Sequence, residues 1–313
     1  MRKKIRVGIL GATGMVGQQY IHLLENHPWF EVAYVAASPQ SAGKKYKDAL
    51  RSGWIVAGDI PPDVADLIVE DGADVEKAAK KCDLVFSAFE MPDTDAIRNS
   101  EEVYAKMGMP VFSNASAHRH TEDVPMLIPE INAHHLDIIP AQQKKRGWKK
   151  GCIVVKPNCS LQSYLAPIFA LIQAGYDIPE VLVTTLQAVS GAGYPGVASL
   201  DVIDNVIPFI PGEEEKTEVE PIKILGEIKG GKFVDFKGIN ISAQCMRVPV
   251  SDGHLACVSM KFGKKKPSVE QIKKIWVHFK GEPQELKLPF APEQPIHYRD
   301  EPNRPQPKLD RDN

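Results

Sequence analysis

The chain has 313 residues, with 38 Lys and Arg against 40 Asp and Glu and a net charge of −2. That balance offers no cationic surface for nucleic acid or anionic lipid. No apolar run is long enough to cross a bilayer, so a soluble protein of two ordinary domains acting on a small molecule is expected. Five cysteines (Cys82, Cys152, Cys159, Cys245 and Cys257), odd in number and without CxxC spacing, speak against disulfides and structural zinc. The N-terminus enters a strand pattern directly, without a signal-like core, and the expected compartment is a reducing cytoplasm.

Residues 5–10 are an apolar strand pattern, followed by Gly11-Ala12-Thr13-Gly14-Met15-Val16-Gly17 and a helical pattern over 15–26. A glycine-rich turn between a strand and a helix is the context of a dinucleotide site. Gly11 permits the turn, Gly14 the approach of a pyrophosphate and Gly17 close helix packing, with Thr13, Met15 and Val16 completing the loop. A second strand over 32–37 runs into Ser38-Pro39-Gln40-Ser41-Ala42-Gly43-Lys44-Lys45. No acid stands there to hold ribose hydroxyls or repel a 2′-phosphate, and Ser38, Ser41 and the lysines favour NADP over NAD.

Further strand patterns at 67–69, 83–87 and 110–113 alternate with helical ones at 75–81 and 94–107, as in a parallel sheet covered by helices. The basic stretch 142–150 reads as a solvated helix end and loop and as the best candidate boundary. Beyond it, strand patterns at 181–189, 239–243, 246–250 and 255–262 cluster, with helical ones at 198–207, 219–228 and 268–280. The expected fold class is α/β, a Rossmann-type domain over 1–156 followed by an α+β domain over 157–313.

Cys159 lies in Lys156-Pro157-Asn158-Cys159-Ser160, between a strand-like run at 152–155 and a helix-like stretch at 161–174. Helix N-terminal amides there would stabilise a thiolate, and polar neighbours argue for access. The other buried-looking cysteines read as small hydrophobes. A thiolate needs a proton partner, and histidine is the usual one near neutral pH. Nine histidines are present. His118 with His120 and His134 with His135 lack a third ligand at a familiar spacing, so no metal is expected. His254, in Ser251-Asp252-Gly253-His254 between two strand patterns, is one candidate among several. A reactive thiol beside a dinucleotide site suggests hydride chemistry on a thioester.

These segments resemble the aspartate-semialdehyde dehydrogenase family, in its archaeal and fungal-like branch. The likeness runs through the glycine loop, Ser41-Ala42-Gly43-Lys44-Lys45-Tyr46, Phe112-Ser113-Asn114-Ala115-Ser116-Ala117, Pro157-Asn158-Cys159-Ser160, Leu186-Gln187-Ala188-Val189-Ser190-Gly191-Ala192-Gly193-Tyr194, Arg247-Val248, Asp252-Gly253-His254 and Arg304-Pro305-Gln306-Pro307. The resemblance implies a glyceraldehyde-phosphate-dehydrogenase-like catalytic domain and NADP-dependent reductive dephosphorylation of L-aspartyl 4-phosphate to L-aspartate 4-semialdehyde, a step of lysine, threonine and methionine biosynthesis. It implies Cys159 as nucleophile, His254 as acid/base, Gln187 as orienting group and Asn158 as donor to phosphate or the acyl oxygen. Arg247 would bind the substrate carboxylate, Glu220 its ammonium, Lys223 and Arg119 the phosphate. Ser190 and Gly191 would complete the cofactor site, and a homodimer or homotetramer would form through the second domain.

Malonyl-CoA reductases share the scaffold and the cysteine, but their nucleophile context resembles Pro-Leu-Cys-Thr, so Asn158 and Ser160 favour aspartyl phosphate. The resemblance also implies a closing strand and a final helix beyond Asn313. A non-catalytic NADP-binding protein is therefore the alternative expectation.

Overall fold

The structure is a computed structural model that describes residues 3–312. The chain forms two compact units. One runs to Met126 and resumes over Leu136–Lys156; the other comprises Leu127–His135 and the chain from Pro157 onward.

In the first unit, β1 (Ile5–Leu10), β2 (Phe30–Ala37), β3 (Val69–Asp71), β4 (Leu84–Ser87), β5 (Pro110–Ser113) and β6 (Cys152–Val155) make one sheet in the order β3-β2-β1-β4-β5-β6. Every neighbouring pair is parallel. Strands covered on both faces need continuous apolar runs. Val7, Ile9, Leu10, Val35 and Ala36 accordingly have no exposed surface. A fully buried side chain of the Val, Ile or Leu kind stabilises the fold by about 1.5–3 kcal/mol. The strand order reverses between β1 and β4, which opens a crevice at their carboxyl ends.

Helix Thr94–Lys106 fastens the carboxyl ends of β4 and β5. Its Glu101 is fully buried, and Oε1 accepts the hydroxyls of Ser87 and Ser113, each at 2.6 Å. These serines are register partners at the last positions of β4 and β5. Burial pushes the Glu101 carboxyl above the ordinary carboxylate range.

The basic stretch after Gln142 is not a boundary. Helix Ile139–Arg146 stays in the first unit, ended by Gly147 in the left-handed conformation. Arg146 bonds both Asp123 (2.5 Å) and Glu102 (2.6 Å). The first domain also does not hold all of 1–156, because Leu127–His135 folds with the second unit. Fully buried His135 there faces the Gly226 carbonyl through Nε2 at 3.0 Å, and Asn132 bonds its other ring nitrogen.

In the second unit, β7 (Glu180–Gln187) lies between parallel β10 (Asn240–Arg247) and antiparallel β11 (Leu255–Lys261). A separate hairpin joins β8 (Glu227–Lys229) to β9 (Lys232–Val234). Val181, Val183, Thr185 and Gln187 of β7 are buried together with Ile241, Ala243, Cys245 and Arg247 of β10. The intervening residues form the open face of the sheet, where Leu182 is 61% exposed. The two strands expected at 239–243 and 246–250 are therefore one. Gln244 interrupts the apolar run only because it occupies the exposed face.

Three helical expectations also change. The stretch from 161 is a short 3-10 turn, Ser160–Ser163, followed after Tyr164 by helix Leu165–Gln173. The helix expected at 198–207 is only Ser199–Val202; the chain passes Asp204 at φ 57° and extends so that Ile207 pairs with Arg247. The helix expected at 219–228 is Glu213–Ile224, starting at three glutamates that suit a helix N-terminus. Pro221 inside it removes the N–H that would reach the Thr217 carbonyl. The Tyr164 hydroxyl donates to that carbonyl instead, at 3.3 Å.

Candidate active site

In the first unit, the crevice beside β1 and β4 is a cleft of about 450 Å³ whose lining includes Gly11, Thr13, Gly14, Ser38, Pro39, Asp71 and Phe89. Gly11 has φ 74°, and a Cβ there would lie 2.2 Å from the Ala88 carbonyl oxygen. A Cβ on Gly17 would lie 2.3 Å from the Gly11 oxygen, so helix Met15–Leu24 is pressed onto the turn. This chain's residues thus leave a cradle for a phosphate-bearing dinucleotide. Ser38 lines the cleft, whereas Ser41 is buried outside its lining. Met15 and Val16 open the helix and also lie outside it. Lys44 and Arg51 converge on Gln40, beside that rim, through hydrogen bonds to its backbone and side chain. Asp71 and Phe89 belong to the lining too, and no periodicity in the sequence singled them out. Arg119, also of this unit, is buried and donates to the carbonyls of Lys156 (3.0 Å) and Asn114 (3.4 Å).

In the second unit, the residues around Cys159 converge. Cys159 is exposed and caps the turn Ser160–Ser163. His254 follows Gly253, which has φ 86°, at the entry to β11. Its Nε2 lies 3.1 Å from Cys159 Sγ. The Ala188 N–H, just past β7, donates to His254 Nδ1 at 3.0 Å. A neutral ring whose Nδ1 accepts carries its proton on Nε2, aimed at the sulfur. Cys159 precedes a short 3-10 turn in place of a helix start, and the first amide of that turn, Ser160 N–H, donates to Asn158 Oδ1 at 2.8 Å.

Gln187 and Arg247 end β7 and β10 as register partners. Arg247 is 5% exposed, and its Nη1 donates to the Ala188 carbonyl (2.9 Å) and Gln187 Oε1 (3.5 Å). Nε and Nη2 have no hydrogen-bond partner among the described residues. Burial lowers the guanidinium pKa, while the charges of Glu213 and Cys159 oppose that shift. A buried guanidinium with an unspent edge suits a carboxylate ligand. Gly191 makes room for this pair, because a Cβ there would lie 2.7 Å from Arg247 Nη1 and 3.2 Å from His254 Cε1. Ser190 N–H donates to the Ser251 carbonyl (3.1 Å), holding its segment against the turn that carries His254.

Asn158 faces helix Glu213–Ile224. It is 2% exposed; its side-chain amide donates to Glu213 Oε2 (3.1 Å) and Thr217 Oγ1 (3.5 Å), and its backbone N–H to Glu220 Oε2 (2.6 Å). Its side-chain amide donors point to the helix, and Asn158 thereby shapes the cysteine loop. Glu220, fully buried, holds that loop. Lys223, one turn on, lies 4.9 Å from the centre of the Phe233 ring. Glu213 was not among the expected residues. The only signal for it was its place seven residues before Glu220, which puts both on the same side of a helix.

A family model for the NAD-binding domain of semialdehyde dehydrogenases matches residues 6–139, and one for their dimerisation domain matches 166–313. The chain belongs to the aspartate-semialdehyde dehydrogenase family. It is 45% identical to the enzyme of that name from Trichophyton rubrum over 99% of this chain and 84% of the relative. It is 45% identical to the one from Archaeoglobus fulgidus over 98% of this chain and 84% of the relative. Among solved structures, the aspartate semialdehyde dehydrogenase of Candida albicans with NADP superposes with a TM-score of 0.90 at 40% identity, covering 99% of this chain and 86% of that one. The α/β architecture is that of this dehydrogenase family, whose second-domain model is named for dimerisation. Among the described residues no helix is long and apolar enough to cross a membrane, and no group of His, Cys, Asp and Glu forms a metal site.

Proposed function

We propose that this chain catalyses the NADP-dependent reductive dephosphorylation of L-aspartyl 4-phosphate to L-aspartate 4-semialdehyde, with the first unit holding the dinucleotide and the second carrying catalysis and dimerisation. The observation that carries the reading is the 3.1 Å approach of His254 Nε2 to Cys159 Sγ beside the half-spent Arg247 guanidinium. Cys159 thiolate attacks the acyl phosphate carbon, phosphate leaves, and a thioacyl enzyme remains. The chemistry supplied by NADPH, when bound, is hydride transfer to the thioacyl carbon. His254 Nε2–H, which faces Cys159 Sγ at 3.1 Å, then donates a hydrogen bond to the developing oxyanion, and collapse expels the thiolate and frees the aldehyde. Arg247 takes the α-carboxylate through Nε and Nη2, while Gln187, held between Arg247 and Glu213, fixes the edge of the site. Lys223 is the cation for phosphate. Glu220 serves the substrate ammonium from the helix that also holds the cysteine loop.

NADP is favoured over NAD by Ser38 with Lys44 and Arg51 beside Gln40, and the Candida albicans relative was solved with NADP. A homodimer through the open face of the β10-β7-β11 sheet agrees with its 61% exposed Leu182 and with the dimerisation-domain match. A cytoplasmic location fits the free cysteines; cell fractionation that recovers the protein with membranes or outside the cell would refute it.

The deciding assay supplies aspartate semialdehyde, phosphate and NADP⁺ and follows absorbance of the reduced nicotinamide. Growth of that band in the parent, and none in Cys159→Ala, is the expected result. Equal rates in both chains would end the covalent mechanism.

A further inference from the structure

Helix Glu213–Ile224 presents Glu213, Thr217 and Glu220 toward the cysteine loop. Glu213 Oε2 accepts two side-chain amides, Asn158 Nδ2 at 3.1 Å and Gln187 Nε2 at 3.3 Å. Its Oε1 accepts Lys216 Nζ at 2.9 Å. A carboxylate only accepts hydrogen bonds, so both amides must turn their NH₂ groups to it. Their oxygens are thereby pointed elsewhere: Asn158 Oδ1 to the Ser160 N–H and Gln187 Oε1 to Arg247 Nη1.

We propose that Glu213 is a positioning residue: one carboxylate sets the orientation of the amides of Asn158 and Gln187, and through Gln187 it aims the Arg247 guanidinium at an anionic group of the substrate. Ionised Glu213 suits the task. Its partners Lys216, Gln187 and Asn158 outweigh burial and hold its carboxyl below the ordinary range. The inference rests on the proposed function only for the identity of the anionic group, a substrate carboxylate. The orientation of Arg247 is testable without that reaction.

The test compares alkylation of Cys159 by iodoacetate, an anion, with alkylation by neutral iodoacetamide, in the full chain and in Glu213→Gln. Cys159→Ala serves as the blank. A glutamine keeps the volume but brings a donor to two donors, so one amide must rotate or lose its partner. The iodoacetate-to-iodoacetamide rate ratio is expected to fall about tenfold in Glu213→Gln, as for loss of one hydrogen bond to a charged group. The iodoacetamide rate stays within about twofold of the parent. With the semialdehyde substrate, KM rises about tenfold.

A fall in both alkylation rates alike, or no change in the ratio, overturns the proposal. Glu213→Asp, which reaches one amide but not both, is expected to lower the ratio in the same direction. If that variant also fails to fold, the carboxylate is structural and the proposal is overturned. A selective loss in alkylation from a parent that shows no dehydrogenase activity would refute the proposed reaction and leave the positioning role standing.

Discussion

The backbone N–H of Ala188 donates to His254 Nδ1 over 3.0 Å and leaves the opposite ring nitrogen 3.1 Å from Cys159 Sγ. An imidazolium would set a second N–H against the Ala188 N–H, so the arrangement favours a neutral ring that donates from Nε2. His254→Gln, with the amide as a weaker donor and no titrating group, should lower kcat by about a hundredfold or more. Iodoacetamide should still label Cys159. Steady-state rates and labelling by mass spectrometry check this; an unchanged kcat would remove His254 from the mechanism.

Gly191→Ala places a methyl group 2.7 Å from Arg247 Nη1, whose position is fixed by the Ala188 carbonyl at 2.9 Å. Arg247 must yield, and KM for the carboxylate-bearing substrate should rise about tenfold with thermal stability nearly retained. Parallel kinetics and thermal melts would show it. An unaltered KM would mean that Arg247 does not meet the substrate.

His118 and His135 are fully buried, and burial lowers both ring pKa values from 6.5 to about 4. The folded state binds these protons more weakly than the unfolded chain. The stability they contribute is therefore complete above about pH 6.5 and lost as pH falls toward about 4, roughly 3 kcal/mol for each. Urea titrations across that interval should show a steeper loss in the parent than in His118→Gln. Parallel losses in the two chains would remove His118 from the acid response.

Tyr164→Phe deletes the donor to the Thr217 carbonyl that Pro221 leaves open. A cost of about 1 kcal/mol is expected, visible as a lower urea midpoint at unchanged slope. An unshifted midpoint would mean that the carbonyl finds another donor.

Leu182→Lys puts a charge at the middle of the open sheet face. If two copies associate through that face, sedimentation should show dissociation in the variant at concentrations where the parent is dimeric. A variant as dimeric as its parent would place the interface elsewhere.

Strand β1, the glycine turn and helix Met15–Leu24 were legible in the sequence because each is a local pattern: an apolar run, a turn chemistry and a helical period. Cys159 was legible from its polar neighbours at a strand end. His254 stood out from the other histidines only through the family resemblance, because its approach to sulfur spans 95 residues of chain. The helix expected after Cys159 breaks at Tyr164, whose hydroxyl repairs a gap 53 residues away. Gln244 divides β10 into two apparent apolar runs, because a residue on the exposed face looks like an interruption along the sequence. Glu213 was hidden in a run of acids at a helix start, the usual composition of a solvated end. What distinguishes it is a pair of amides 26 and 55 residues distant.

Glu214 and Glu218 accept the β10 N–H groups of Cys245 (3.2 Å) and Ala243 (3.0 Å). Four residues of helix advance about 6 Å and two residues of strand about 6.8 Å, so the two rulers nearly coincide over this interval. A helix engaged at both marks cannot slip by a single turn without stranding one of the two donors. The same rod carries Glu213 and Glu220, and the same strand ends in Arg247. Ordinary edge contacts, remote from any reacting atom, therefore act as an index stop that sets how far along the strand the acidic row stands from the guanidinium.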